Sequence, residues 1–210
     1  MNEYLMTTPV ASIIFVITII TSVMAFNNVE LLSNLILHPY SVARNKKTYT
    51  VITSGLIHND WMHLLFNMFS YYFFAFPLER AMGHWQFGLL YVASLILSDL
   101  PTIYKHKDDY YYRCLGASGA VSAVIFGYIM YNPASSMMIM PIPFAIPAIV
   151  FGPLYLIYCH FASKHARDNV NHDAHLYGAL SGLIIVIILN HHVVNDFIIG
   201  VNEVARSYFH

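Results

Sequence analysis

Long apolar runs alternate with shorter polar segments along the whole chain, and this alternation predicts a bundle of membrane-spanning helices. A helix needs about 20 predominantly apolar residues to cross a bilayer. We interpret six runs as spans, over residues 9–26, 61–78, 86–103, 118–131, 144–161 and 174–190. The expected fold is therefore all-α, with residues 1–210 forming one polytopic membrane domain.

The polar segments predict how these spans are connected. Residues 27–60 form the longest connection, and because loops of this length usually carry structure of their own, we expect part of it to lie in the membrane interface. The stretch "ERAMGHW" predicts a short turn, and the tyrosine-rich "YKHKDDYYYR" is typical of a membrane–water boundary. The proline-punctuated "NPASSMMIMPIP" opens the fifth span, "SKHARDNVNHD" is expected to be solvated, and the C-terminal segment after the sixth span predicts an amphipathic or loosely ordered tail.

Composition agrees with a membrane protein and narrows the possible partners. Of the 210 residues, 58% are hydrophobic and only 10% are charged, whereas about a quarter of a soluble domain is charged. The mean hydropathy of +0.56 points the same way. A net charge of −1 gives no indication of nucleic acid as a partner, and the two cysteines, Cys114 and Cys159, form no CxxC pattern and are expected to be buried apolar residues.

Lysine and arginine are unevenly distributed between the two sides of the predicted bundle. The connections after spans one, three and five carry Arg44, Lys46, Lys47, Lys105, Lys107, Arg113, Lys164 and Arg167, whereas the opposite side carries only Arg80 and Arg206. The preference of cytoplasmic loops for positive charge would place the first group in the cytoplasm.

Polar side chains within the apolar runs are the candidates for function, because an unsatisfied polar group at membrane depth is energetically costly. The first cluster lies in "HNDWMHLLFNM", where His63 and Asn67 are four residues apart and share a helical face, with His58 just before them. The alternative for these side chains is that they hydrogen-bond neighbouring helices and only hold the bundle together.

Two stripes of small residues form the other clusters. In the fourth span Ser118 and Ser122 share a face beside the stripe Gly119, Ala123 and Gly127. In the sixth span His175 shares a face with Gly178 and Gly182, which continue a stripe from Ala174. Small residues at this spacing let helix backbones approach closely, although simple helix packing would explain each stripe alone. If the stripes pack together, Ser118 and His175 meet near one end of two parallel helices.

A serine beside an imidazole is the minimal activated nucleophile, because serine becomes reactive when a base takes its proton. Histidine has an unperturbed pKa of about 6.5, which suits a general base near neutral pH. His63, Asn67 and the backbone N–H of Ser118 could donate hydrogen bonds to an oxyanion. Gly116 and Gly119 on either side of Ser118 would allow a sharp turn and a close helix approach.

In this combination the residues resemble the rhomboid family of intramembrane serine proteases. The motifs that carry the resemblance are "HNDWMHLLFNM", "GASGA" and "AHLYGALSG", in family order on spans two, four and six, together with "TSGLIHND" and "LERAMG". The similarity extends from about residue 39 to residue 190.

The resemblance implies a six-helix fold with a Ser118–His175 dyad, an oxyanion site formed by His63, Asn67 and the Ser118 amide, and a water-filled cavity. The implied substrates are transmembrane proteins cut where helix-breaking residues let the chain unwind, and the implied location is a bacterial cytoplasmic membrane. The chemistry requires no cofactor and no metal, and the oligomeric state stays open. The family topology places both termini in the cytoplasm with the site opening outward, which is opposite to the charge distribution.

The chain also departs from the family pattern. Many bacterial members carry a tyrosine four residues after the nucleophile, where this chain has Ser122, so Tyr177 or another aromatic side chain would have to replace it. The Trp-Arg pair found in the first loop of some members is absent as well.

The residues give less support to other chemistries and functions. Asp173 lies two residues before His175, so it points about 200° away on a helix and is expected to face solvent or to cap the sixth span rather than complete a triad. The sequence contains no HExxH zinc motif, and Asp99 has no second intramembrane aspartate for aspartyl protease chemistry. The alternatives that stay open are a catalytically silent rhomboid-like protein that binds transmembrane clients, and a small transporter.

Overall fold

The computed structural model describes residues 2–138, 145–166, 168 and 170–209. Its helices are α1 Asn2–Thr7, α2 Pro9–Phe26, α3 Val29–Leu35, α4 Pro39–Val42, α5 Thr50–Thr53, α6 Trp61–Met82, α7 His84–Lys105, α8 Ser118–Tyr131, α9 Ala148–His165, α10 His172–Leu189 and α11 Val193–Phe209. A 3-10 turn covers Ser54–Leu56, and strands β1 Ser136–Met138 and β2 Ala145–Pro147 pair antiparallel. The fold is thus mostly helical, but the all-α expectation is corrected by this two-stranded sheet.

Three of the described helices, α2, α7 and α10, are long and apolar enough to cross a membrane, and α8 is a shorter apolar helix. The predicted bounds of spans one and four agree with α2 and α8, and those of spans two, three and six differ by one to four residues from α6, α7 and α10. The fifth span was predicted to begin at residue 144, which lies outside the described residues, whereas α9 begins at Ala148. The prolines before α9 explain its later start, because the residue before a proline is biased toward extended backbone.

The connection between α6 and α7 is shorter than the sequence suggests. Helix α6 continues through most of "ERAMGHW" to Met82, and α7 begins at His84, so that Gly83 alone separates the two helices. Gly83 has φ +95° and donates its backbone N–H to the carbonyl of Glu79 at 2.9 Å. A left-handed backbone suits glycine, which has no Cβ to clash, and this residue therefore ends one helix and starts the next.

Helix α8 lies at the centre of the bundle. It packs most extensively on α10 and also contacts α6 and α7. Ten of its fourteen residues are buried. Because most of its surface contacts other parts of the protein, the helix is apolar on every side.

The two small-residue stripes pack against each other, as the sequence predicts. A Cβ placed on Gly178 would lie 2.8 Å from the carbonyl carbon of Gly119, and one placed on Gly182 would lie 2.6 Å from the Cα of Ala123. Both distances are shorter than any ordinary Cβ contact, so α8 and α10 touch backbone to backbone at these positions.

Helix α2 is fastened to the bundle by buried polar contacts. The fully buried carboxylate of Glu79 accepts hydrogen bonds from the backbone N–H groups of Val10 at 3.1 Å and Ala11 at 2.6 Å. At the other end of α2, Ser22 Oγ hydrogen-bonds the carbonyl of Leu56 at 3.1 Å. Glu79 thus provides acceptors for the N-terminal amides of α2.

The segments outside the central bundle also carry structure. The long connection 27–60 contains α3, α4, α5 and the 3-10 turn, and Leu37 exchanges backbone hydrogen bonds with Cys114. At the C-terminus, α11 is an amphipathic helix whose Val193 and Phe197 pack on the core while Ile198 and Ile199 are exposed. This confirms the amphipathic form of the predicted tail.

Candidate active site

Ser118 is the first residue of α8 and follows a tight backbone turn. Gly116 adopts φ +114° and donates its N–H to the carbonyl of Ser54 at 2.9 Å. The carbonyl of Ala117 accepts the hydrogen bond from the Val121 N–H, so α8 begins directly after Ala117. The N–H groups of a first helical turn have no acceptor within their own helix, and the Ser118 amide is one of these.

His63 approaches the turn that carries Ser118. A Cβ on Gly116 would lie 2.7 Å from His63 Cε1 and 2.9 Å from His63 Nε2, so the ring occupies space that only glycine leaves free. Asn67, one turn later on α6, is buried and donates from Nδ2 to the His63 carbonyl at 3.0 Å. That bond uses one of its two amide hydrogens, which leaves the other for a second acceptor.

The start of α6 is positioned by Asp60 and His58. Asp60 caps the helix by accepting a hydrogen bond from the His63 N–H at 2.8 Å, and this bond is the main cause that lowers the pKa of Asp60. The fully buried His58 has its Nδ1 3.0 Å from Ser22 Oγ and its ring 4.8 Å from that of His63. Burial, followed by the proximity of His63, lowers the pKa of His58 to about 3, so this ring is neutral near pH 7 and links α6 to α2.

His175 lies in the first turn of α10, which is capped by Asn171. The side-chain oxygen of Asn171 accepts a hydrogen bond from the Ala174 N–H at 3.1 Å. The backbone carbonyl of Asn171 accepts another from the His175 N–H at 3.2 Å. Asn171 therefore provides the cap, and Asp173, which the sequence predicts to face solvent or to cap this helix, forms a 2.7 Å salt bridge with Lys105 of α7.

Contacts between α8 and α10 bring the regions of Ser118 and His175 together. Gly119, which follows Ser118, lies directly against Gly178, and a Cβ on Gly119 would be 3.3 Å from the Ala174 carbonyl oxygen. Ala174 immediately precedes His175, so both candidates flank the same close contact. His175 is also near enough to His63 for electrostatic interaction. The hydrogen bond between the Ser118 hydroxyl and the His175 imidazole stays a prediction.

Sequence comparison relates the chain to known proteins. The family model described as "Rhomboid domain" matches residues 45–192, a range that includes Ser118, His175, His63 and Asn67. The chain belongs to the rhomboid family. This rhomboid is 29% identical over 151 residues to the Bacillus subtilis (strain 168) protein named "Putative rhomboid protease YdcA". The match covers 67% of this chain and 67% of the relative.

Two eukaryotic relatives are similar over a comparable length of the rhomboid. It is 26% identical over 152 residues to "RHOMBOID-like protein 12, mitochondrial" of Arabidopsis thaliana, covering 65% of this chain and 45% of the relative. It is 27% identical over 143 residues to "Rhomboid-related protein 1" of Caenorhabditis elegans, covering 66% of this chain and 39% of the relative. The match therefore spans less than half the length of these two proteins.

The rhomboid has a second imidazole beside His175 that sequence reasoning missed. His172 was assigned to a solvated segment, but it is 5% exposed, and its ring centroid is 6.0 Å from that of His175. Its Nε2 is 3.1 Å and 3.2 Å from the two carboxylate oxygens of Asp168. The three-residue spacing of His172 and His175 placed both on one helical face, and this signal could have identified the pair.

A tyrosine from α9 reaches the helical turn that follows Ser118. Tyr155 OH is 2.9 Å from Ser122 Oγ, and its ring packs near those of Phe126 and Phe151. Tyr177, the substitute named from the sequence, is 43% exposed. The aromatic hydroxyl beside Ser122 therefore comes from another helix, and the separation of 33 positions between Ser122 and Tyr155 left no local signal for this contact.

A small cavity with polar walls lies beside the turn that carries Ser118. Its walls include Ser98, Asp99, Cys114 and Asn171 as well as Ser118. Burial raises the pKa of the Cys114 thiol, so this side chain stays protonated and does not compete as a nucleophile near pH 7. Within the described ranges, no group of three histidine, cysteine or acidic side chains is arranged to hold a metal ion.

Proposed function

We propose that this rhomboid is an intramembrane serine endopeptidase that cleaves transmembrane proteins, with Ser118 as nucleophile and His175 as general base. The observation that carries the proposal is the backbone contact of Gly119 with Gly178, since it joins the two helix starts that bear these side chains. Six spans, formed by α2, α6, α7, α8, α9 and α10, would bury the reaction at membrane depth.

The proposed reaction assigns one task to each side chain. His175 takes the Ser118 proton as Oγ attacks the scissile carbonyl, and then returns a proton to the leaving amine. Water hydrolyses the resulting ester by the same proton transfers and regenerates the serine. His63, Asn67 and the Ser118 amide donate to the oxyanion, and the loss of one such donor typically lowers the rate by about 10²–10³-fold.

The proposed substrates are membrane helices that unwind easily. A peptide bond inside a helix is shielded by its hydrogen bonds, and these bonds must open before Oγ can reach the carbonyl. Proline and glycine weaken a helix locally, so we expect cleavage near such residues.

The test uses purified protein and a transmembrane substrate whose helix contains proline or glycine. We expect cleavage that is lost in Ser118→Ala and in His175→Asn, and labelling of Ser118 by a fluorophosphonate probe that is also lost in His175→Asn. The adduct is located by peptide mass spectrometry. Labelling at another serine, or cleavage that survives Ser118→Ala, would contradict the assignment.

The same assay distinguishes the alternative functions. A silent rhomboid-like binder would capture the transmembrane substrate without cutting it, and a transporter would neither cut it nor react with the probe. A reporter fused after residue 210 tests orientation separately: a cytoplasmic reading agrees with the family topology, and an extracytoplasmic reading agrees with the charge distribution.

A further inference from the structure

His172 is a buried imidazole next to the proposed base, and the peptidase mechanism gives it no task. Its ring is nearly perpendicular to that of His175, at 81°, with the centroids 6.0 Å apart. The Tyr158 ring of α9 packs edge-on against the His172 ring, with the two centroids 5.6 Å apart. A buried ring in this position contributes to the electrostatic environment of His175 whatever its charge.

The partner of His172 is a carboxylate. Because Nε2 lies within 3.2 Å of both Asp168 oxygens, Nε2 carries a hydrogen and donates it to that carboxylate. The backbone N–H of Val170, followed by His172, lowers the pKa of Asp168, so Asp168 is ionised near neutral pH. The Asp168 carboxylate interacts favourably with a positive charge on His175, whereas the His172 ring opposes such a charge.

We propose that Asp168 and His172 form a positioning pair for the base, in which His172 holds the Asp168 carboxylate where its negative charge stabilises the imidazolium of His175. This inference rests on the proposed peptidase function. In the reaction a proton moves from Ser118 Oγ to His175 and later to the leaving amine, and neither Asp168 nor His172 gains or loses a proton. The pair acts only by stabilising the positive charge that His175 acquires on the way to the transition state.

Other ionisable groups lie in the helices packed around the start of α10, but the geometry favours Asp168 as the source of this charge. Asp173 is the nearest carboxylate in sequence, and its charge is offset by Lys105 at 2.7 Å. His63 of α6 interacts electrostatically with His175, Asp99 of α7 shares a cavity wall with Asn171, and Tyr158 of α9 packs against the His172 ring. Asp168, in contrast, meets a buried ring that in turn lies against His175.

Asp168→Asn and Asp173→Asn form a matched comparison, because each removes one carboxylate close to the start of α10. The readout is the pH dependence of kcat/KM, whose acid limb reports the free-enzyme base. Loss of a nearby negative charge destabilises the imidazolium, so the His175 ring gains a proton only at lower pH. In Asp168→Asn we expect the acid limb to move down by about half a unit to one unit, with a several-fold lower plateau. In Asp173→Asn the limb should stay in place.

Variants of His172 test whether the pair acts as a unit. Because the His172 ring itself opposes a positive charge on His175, the informative comparison is a double variant: Asp168→Asn should shift the acid limb less in a His172→Leu background than in the wild-type background. His172→Gln keeps an N–H donor for Asp168 and should restore most of the wild-type profile. A merely structural defect would lower the plateau without moving the limb.

The outcomes separate this inference from the proposed function. If wild-type protein cleaves and Ser118→Ala does not, but the acid limb of Asp168→Asn stays in place or moves equally in Asp173→Asn, the pair has no such part and the peptidase stands. The same comparison made with the rate of fluorophosphonate labelling of Ser118 must agree. If wild-type protein neither cleaves nor labels, both proposals fail.

Discussion

Replacing Gly178 by alanine should force apart the two helices that carry the proposed nucleophile and base. The added Cβ would lie 2.8 Å from the Gly119 carbonyl carbon and 3.0 Å from its Cα, whereas ordinary contacts begin at 3.4 Å. To lengthen the contact of the added Cβ from 2.8 Å to an ordinary 3.4 Å, the two backbones must separate by at least about 0.6 Å at this point. The obstacle is backbone rather than a flexible side chain, so no rotamer change can relieve it.

The magnitude follows from the position of this contact. Overpacking a tight interface typically lowers the free energy of unfolding by about 1–3 kcal/mol. A displacement of about 1 Å between reacting groups can lower a catalytic rate by about 10²-fold. For a separation of about 0.6 Å beside Ser118 and His175, we expect Gly178→Ala to cleave substrate and to label with fluorophosphonate roughly 10- to 100-fold more slowly.

Gly152→Ala in α9 provides the matched control. It is also a buried helical glycine, but its added Cβ would meet Phe126 at 3.7 Å and Ile129 at 3.8 Å, which are ordinary contacts. We expect it to leave labelling unchanged and stability equal or slightly higher, because alanine favours a helix over glycine. Wild-type stability and labelling in Gly178→Ala would refute the close contact of α8 with α10.

Three further predictions concern polar contacts in the bundle, each read from unfolding in mixed detergent. Glu79→Gln removes the charge that accepts two backbone N–H groups of α2 and should lower the free energy of unfolding by about 2–4 kcal/mol, whereas the exposed Glu30→Gln should change little. Burial lowers the pKa of His58 to about 3, so below about pH 6.5 the unfolded chain binds a proton at this residue and the native state does not. The free energy of unfolding should therefore fall as the pH drops below about 6.5, by up to about 1.4 kcal/mol per pH unit. His58→Gln should flatten this dependence, and an unchanged slope would contradict the prediction. Tyr155→Phe removes the 2.9 Å hydrogen bond to Ser122 and should destabilise by about 0.5–1.5 kcal/mol, and no added loss should appear in the double variant with Ser122→Ala.

The helices that the sequence predicts well are those with a strong local signal. Spans one and four have the predicted bounds because a proline or a glycine-rich turn marks the start of each apolar run. The turn between α6 and α7 was predicted too long because "ERAMGHW" is polar, yet Glu79 within it is buried by contacts with α2. A polar residue that finds partners elsewhere in the chain cannot be distinguished locally from one that faces water.

The candidate site divides in the same way. The stripes that include Gly119 and Gly178 could be recognised from spacing alone, and the structure confirms that they pack. The contact of Tyr155 with Ser122 could not be recognised, because the two residues lie 33 positions apart on different helices. The burial of His172 depends on how α9 packs beside it, although its three-residue spacing from His175 was a partial signal.

The sequence by itself determined which segments are apolar helices, where small and polar side chains recur along their faces, and which residue types are available for chemistry. These are local properties, set by composition and by the helical period. Only the tertiary structure decided that the Gly119 backbone meets Gly178, and that Tyr155 of α9 reaches Ser122 of α8. Such contacts depend on how whole helices pack, and the free energy of packing is summed over many residues that are far apart in the chain.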